Sequence, residues 1–189
     1  MNRLDGDEAE RPGHGDDVKD GSGFPEPSLV VLVGASSAGK STWAAATFKE
    51  NEIVSLAALQ AAVGIDDHDV RAIPDALGLL NRIVSTRIDR GLLVVVDSDG
   101  LDSSRRISWA TGALSKSIPA FAVLFVTDLQ TCLGRNEQRS HPLPEGVIRR
   151  QLLRSLEIGP DLEREGFEVF VFPTPLPETE DEGLDTDAF

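Results

Sequence analysis

The sequence predicts a parallel α/β sandwich, one sheet with helices on both faces. Three observations predict it: short apolar β-branched runs alternate with helical patterns about five times, no internal repeat occurs, and a glycine-rich turn joins the first strand to the first helix. With 189 residues the chain suits one compact domain plus tails, and a domain of that size buries a core without staples. The single cysteine, Cys132, excludes an intrachain disulfide framework. No apolar run approaches the roughly 18 residues of a membrane helix, and the N-terminus lacks the apolar stretch of a secretory signal. We therefore expect a cytoplasmic protein with no membrane partner.

Each element has its own signal. Residues 29–33 (LVVLV) form a strand, 40–49 a helix and 52–55 a second short strand. A helical stretch over 56–63 stops at Gly64. Val70, Ile73, Leu77, Leu80, Val84 and Ile88 recur every three or four residues and so share one helix face, with Pro74 tolerated only near that helix's start. Residues 92–96 (LLVVV) read as a strand buried on both faces. Helix 103–116, strand 120–126, helix 129–136, helix 144–156 and strand 167–172 complete the series.

The net charge of −14 is concentrated at the ends. Residues 1–28 carry 3 basic and 8 acidic groups, and residues 174–189 carry 6 acidic and none basic, which leaves −3 for the centre. Both segments are rich in Gly, Pro, Asp and Glu, so they bury too little to offset the entropy of ordering. We expect disordered acidic tails at 1–28 and 174–189 flanking a domain at 29–173. Tails of this kind serve solubility, with a protein partner as the alternative.

Gly34-Ala35-Ser36-Ser37-Ala38-Gly39-Lys40-Ser41 fits G-x-x-x-x-G-K-[ST], after a predicted strand and at the start of a predicted helix, as that motif requires. Its glycines let successive backbone N–H groups face a polyphosphate, and the helix N-terminus adds partial positive charge. Residues 34–41 with Thr42 are thus the expected cradle of a nucleoside triphosphate, ATP or GTP. Lys40 would reach the β and γ phosphates, and Ser41 would offer its hydroxyl to Mg²⁺. Trp43, two residues beyond, suits core packing.

The second half of such a site is a carboxylate at the end of a neighbouring strand, where it holds Mg²⁺ directly or through water. Asp97 follows the 92–96 run without a gap, at the carboxyl end where ligands bind open α/β sheets. Asp99 is a further candidate; capping the next helix is the structural alternative for either. Arg135 and Arg139 are four apart, sharing a helix face if that helix runs past Asn136, and guanidinium forks match phosphate oxygens. They lie in an arginine-rich stretch, 135–154, with net charge +3 in an acidic protein. His141 reads as a loop residue.

These residues together predict a P-loop NTPase/kinase fold of about five parallel strands with helices on both faces, to which a family resemblance adds a helical lid. Over residues 29–172 the chain resembles the phage and bacterial polynucleotide 5′-kinases, including the kinase module of bacterial RNA repair enzymes, and related small P-loop kinases. The resemblance is carried by LVVLVGASSAGKSTWAAATF, AAVGIDDHDVRAIPDALGLL, RGLLVVVDSDGL and CLGRNEQRSHPLPEGVIRRQ, in that order. It implies transfer of the γ-phosphate of ATP to a 5′-hydroxyl, with Arg135 or Arg139 as the lid arginine over the phosphates.

The acceptor side departs from that pattern. Where the family has a Ser-Asp-x-x-Arg element, this chain reads Ser55-Leu56-Ala57-Ala58-Leu59-Gln60. Ala57 occupies the place of the Asp that takes the acceptor's proton, and Gln60 that of the Arg that contacts the acceptor phosphate. After Asp97 the family often has Thr-Asn, here Asp99-Gly100. Three readings stand: a nucleotide-binding or interaction module with little kinase activity, a kinase for another acceptor using Asp99, Asp66 or Asp67 as base, and a nucleotide hydrolase. The acceptor on the kinase readings is a nucleic acid or a small hydroxyl compound.

Overall fold

The computed structural model describes residues 23–173. Strands β1 (Leu29–Val33), β2 (Ile53–Ser55), β3 (Val94–Asp97), β4 (Ala120–Val126) and β5 (Glu168–Pro173) form one all-parallel sheet in the order β2-β3-β1-β4-β5. The helices are α1 (Lys40–Thr47), α2 (Leu56–Val63), α3 (Ile73–Asp89), α4 (Ser103–Leu114), α5 (Leu129–Glu137), α6 (Glu145–Glu157) and α7 (Gly159–Arg164). The first strand in sequence is therefore the central one. Because successive strand residues point to opposite faces, β1 feeds two cores. Leu29, Val31 and Val33 pack with Leu80, Val84, Trp109 and Leu162 on one side. Val30 and Leu32 pack with Trp43, Phe48, Phe121, Phe125 and Ile148 on the other.

Strands 29–33 and 120–126 and helix 56–63 have the predicted bounds. Elsewhere the ends move. The third strand starts at Val94, and Leu92 is 39% exposed, so the apolar run is longer than the buried strand. Helix α1 stops at Thr47 because Phe48 turns extended to join an aromatic cluster with Trp43 and Phe24. Val70 leaves the predicted helical stripe: it sits in a 3-10 turn before α3 and is 73% exposed. Pro74 occupies the first turn of α3, as its ring requires. Helix α7 is not among the expected elements; Pro160 occupies its first turn, where proline is tolerated.

The N-terminal boundary also moves. Phe24 is buried, with ring centroids 5.2 Å from Phe121 and 5.7 Å from both Phe48 and Phe170. Ser28 is fully buried and its carbonyl accepts from Val94 N–H. Residues 24–28 thus belong to the domain rather than to a tail. The tail readings for 1–22 and 174–189 fall outside the described residues. No helix among the described residues is long and apolar enough to cross a membrane.

A buried ion pair fixes the loop after β3. Arg106, fully buried, donates to the Glu165 carboxylate at 2.7 and 2.6 Å and to the Gly100 carbonyl at 2.7 Å. Gly100 has φ +65°, and a Cβ there would lie 2.4 Å from the Leu32 carbonyl oxygen. Only glycine fits there, so Gly100 is a packing requirement of this chain.

Candidate functional site

The chain leaves the central strand at Val33 and turns sharply. Gly34 has φ +151°, and a Cβ on it would come within 3.0 Å of the Phe125 carbonyl oxygen. Its N–H donates to the Asp99 carbonyl at 3.1 Å, which ties the loop to the one after β3. Ser37 (φ 64°) and Gly39 (φ 99°) take left-handed conformations that curl the loop, and Thr127 braces it by donating to the Ala38 carbonyl at 3.1 Å. Gly39 precedes α1 with no side-chain cap, so the helix N-terminus faces the curl with its backbone donors. The fold is a P-loop NTPase fold.

Lys40 folds back over this loop. Its Nζ donates to the Gly34 and Ala35 carbonyls at 2.8 and 2.7 Å and is 93% buried by residue exposure. Burial lowers its pKa from 10.5 to about 8, opposed by the Asp97 and Asp99 carboxylates. Asp97 ends β3 opposite Ser55 of β2 and is 8% exposed. Burial pushes its pKa up, against hydrogen bonds from Ser41 and Ser55 and the charge of Lys40. Asp97 is thus a strand-end carboxylate and not a cap; Asp102 caps α4. A carboxylate joined to the hydroxyl of Ser41 beside a phosphate cradle is a hard oxygen set that suits Mg²⁺.

Helix α5 ends at Glu137, so Arg139 lies two residues beyond it, yet both arginines line the same cavity as Lys40 and Asp97. One Arg135 guanidinium nitrogen, Nη1, is buried without a hydrogen-bond partner and lies 3.5 Å from where a Cβ on Gly39 would stand. The Ser37 hydroxyl is likewise buried and unpaired. An orphaned guanidinium donor against the P-loop glycine fits a phosphate, which would supply the missing acceptor.

The cavity has a volume of about 910 Å³. Residues 36–42, Asp97, Asp99, Arg135 and Arg139 all line it. Gly34 and Ala35 lie beneath, holding Lys40 through their carbonyls. The Asp99 carboxylate accepts from Leu101 N–H at 3.2 Å and so shapes the turn as well. Trp43 packs edge-on to Phe125 at 5.6 Å between centroids and reaches the cavity, so it serves both core and site.

The acceptor-side positions face the cavity too. Ala57 is exposed and lines it, with no group to accept a proton. Gln60 is buried, and its Nε2 donates to the Asp69 carbonyl at 3.0 Å, so it holds the following loop. Asp66 accepts from His68 N–H at 2.9 Å as a turn former, whereas Asp67 and His68 line the cavity. Sequence reasoning missed two residues. Gln151 of α6 accepts from the Ser36 N–H at 2.9 Å, pinning the lid helix to the P-loop, and nothing local in the sequence signals that. His68 stands inside the quoted DDHDV stretch, where adjacency to Asp67 was the available signal, and the structure pairs the two side chains.

Residues 29–157, more than half of the chain, match the AAA domain family AAA_33. The chain belongs to that family. This AAA_33 chain is 34% identical over 148 residues to a protein of Paenarthrobacter aurescens (strain TC1) named "Nucleotide-binding protein". That match covers 70% of the chain but 42% of the relative, so the chain spans less than half of that protein's length. Among solved structures, AvrRxo1-ORF1 with AvrRxo1-ORF2 and ATP superposes with a TM-score of 0.59 at 16% identity, covering 79% of this chain and 55% of that one. The Pnkp1/Rnl/Hen1 RNA repair complex superposes at 0.52 and 18% identity, covering 83% and 50%. These likenesses concern the fold. The family and the P-loop geometry together make the chain a nucleotide-binding domain.

Proposed function

We propose that this AAA_33 chain binds a Mg²⁺-nucleoside triphosphate, ATP or GTP, and passes its γ-phosphate to a hydroxyl acceptor other than a polynucleotide 5′-end. The observation that carries the reading is the unsatisfied Arg135 Nη1 against Gly39. A cation buried without an acceptor costs stability, and a bound phosphate removes that cost. The ATP named with the AvrRxo1 structure and the name of the Paenarthrobacter relative support a triphosphate ligand.

The donor half has all of its parts. Residues 36–42 would cradle the phosphates through backbone N–H groups, Lys40 and the two lid arginines would neutralise charge on the transferring group, and Ser41 with Asp97 would hold the metal. Bound Mg²⁺ would supply charge neutralisation and orientation for the phosphate oxygens. A lid arginine holds the bound phosphates and can also take up charge that develops on the transferring group, which is compatible with a working transferase. The acceptor half argues against a 5′-hydroxyl end: Ala57 provides no base, and Gln60 spends its amide on Asp69. The likeness to the RNA repair complex therefore bears on the scaffold alone.

A second reading, a nucleotide-binding module without transfer, rests on those same two substitutions. Incubation with γ-labelled ATP and Mg²⁺ separates them. Label on a nucleoside or sugar hydroxyl supports transfer, free labelled phosphate alone supports hydrolysis, and tight binding with neither supports the module.

A further inference from the structure

We propose that His68 is the general base of the transfer, with Asp67 as its positioning residue, in place of the carboxylate missing at Ala57. This rests on the phosphotransfer reading above. The two side chains line the cavity that holds Lys40, Asp97 and the lid arginines, on the loop that follows α2. His68 Nδ1 lies 2.6 Å from Asp67 Oδ1. A carboxylate only accepts, so in the neutral ring this contact selects the tautomer with the proton on Nδ1 and the lone pair on Nε2. An imidazole oriented by a carboxylate, with its other nitrogen free to accept, is the arrangement that general-base chemistry needs.

Four further contacts hold the loop that carries the pair. Gln60, at the position where the resembled kinases have arginine, donates to the carbonyl of Asp69, the residue after His68. Asp69 in turn accepts from the N–H groups of Ile65 at 3.4 Å and Arg71 at 3.1 Å, closing the loop on itself. His141, in the loop after α5, sets its ring against His68, with centroids 4.3 Å apart and planes at 51°. His141 is two residues beyond Arg139, so one short loop carries both a phosphate-side arginine and the ring that touches the base. The residue that abandoned acceptor binding thus supports a base placed one loop later.

In the step, the acceptor hydroxyl gives its proton to His68 Nε2 as its oxygen forms a bond to the γ-phosphorus. The bond from that phosphorus to the β–γ bridging oxygen breaks, and the nucleoside diphosphate leaves with the electron pair. Solvent then takes the proton from the imidazolium.

The test uses the full chain with Mg²⁺ and γ-labelled ATP, a nucleoside, a hexose and a 5′-hydroxyl oligoribonucleotide as acceptor probes, and release of free phosphate as the water control. His68→Ala should lower kcat on the best probe by about 100-fold or more with the KM for ATP unchanged, and added imidazole should restore at least about tenfold. Asp67→Asn should lower kcat about tenfold, and Asp67→Glu should recover part of it. ¹⁵N NMR of the wild type should show the Nδ1–H tautomer at His68, and Asp67→Asn should remove that preference. Unchanged kcat in His68→Ala, or an Nε2–H tautomer, overturns the base assignment and leaves the transferase reading standing. ATP binding with no label on any probe and no phosphate release overturns both.

Discussion

Arg135 lays a buried guanidinium nitrogen 3.5 Å from the point where a Cβ on Gly39 would lie, and that nitrogen has no hydrogen bond. Gly39 does two things there. Its left-handed backbone starts α1, and its bare Cα leaves room for a cation over the P-loop. That nitrogen goes without a hydrogen bond in the free protein, so on the proposed function Arg135 would serve binding at a cost in stability.

That opposition is measurable. Arg135→Leu should raise the stability of the free protein by about 1–3 kcal/mol, since an unsatisfied buried donor is removed. The same change should weaken Mg²⁺-ATP binding by at least about tenfold, because a charged hydrogen bond to phosphate is worth about 1.5–3 kcal/mol. Thermal melts with and without Mg²⁺-ATP check both: the variant should melt higher alone and gain less from ligand.

Lys40 gives the site a pH signature. In the free protein its pKa is lowered from 10.5 to about 8 by burial, so between those values the unfolded chain binds more protons than the folded one. Stability from this group therefore rises with pH across that window and is at its lowest below pH 8. Nucleotide binding has the opposite sense, because a triphosphate favours the ammonium form. Calorimetry near pH 9 in buffers of different ionisation enthalpy should show net proton uptake on binding, and affinity should fall as pH rises through about 8. At about pH 6.5 Lys40 should contribute no uptake.

The Arg106–Glu165 pair should respond sharply to loss of one partner. Arg106→Met strands a Glu165 whose side chain is 8% exposed and removes the donor to the Gly100 carbonyl. A cost of about 3–5 kcal/mol follows, measured by urea unfolding. Gly100→Ala tests the same loop from its other side, since its Cβ would meet the Leu32 carbonyl at 2.4 Å.

Ala57→Asp addresses the acceptor. The position is exposed and lines the cavity, so a carboxylate fits without disturbing the core. Transfer to a 5′-hydroxyl oligonucleotide should be weak in the wild type and rise at least about tenfold in the variant, since a general base is worth about 10² to 10⁴ in rate. Gln60→Arg should instead destabilise, because it breaks the bond to the Asp69 carbonyl. A labelled-ATP transfer assay beside a melting curve reads both effects.

The sheet and the phosphate cradle were legible because they depend on local patterns. Buried parallel strands read as unbroken β-branched runs, as in Leu29–Val33, and the P-loop is one contiguous segment with a fixed residue requirement. Asp97 was legible from its place after such a run. What escaped depends on distant pairs. Phe24 looked like tail because its neighbourhood is polar, and only the ring cluster with Phe48, Phe121 and Phe170 draws it in. Gln151 meets Ser36 across 115 residues, and no periodicity encodes that contact. Val70 fitted the stripe of α3 by spacing alone, but the 3-10 turn breaks the register before the helix begins.

Titration of Mg²⁺-ATP into the wild type and Lys40→Ala by isothermal calorimetry tests the central claim most directly. Lys40 is the one cation whose ammonium is held by the P-loop's own carbonyls, at 2.8 and 2.7 Å, among the described residues. The wild type should bind one nucleotide per chain, and Lys40→Ala should show no measurable heat at the same concentrations. Equal affinity in the two proteins would contradict the assignment of residues 34–42 as the nucleotide site, and with it the reading of this chain as a P-loop phosphotransferase.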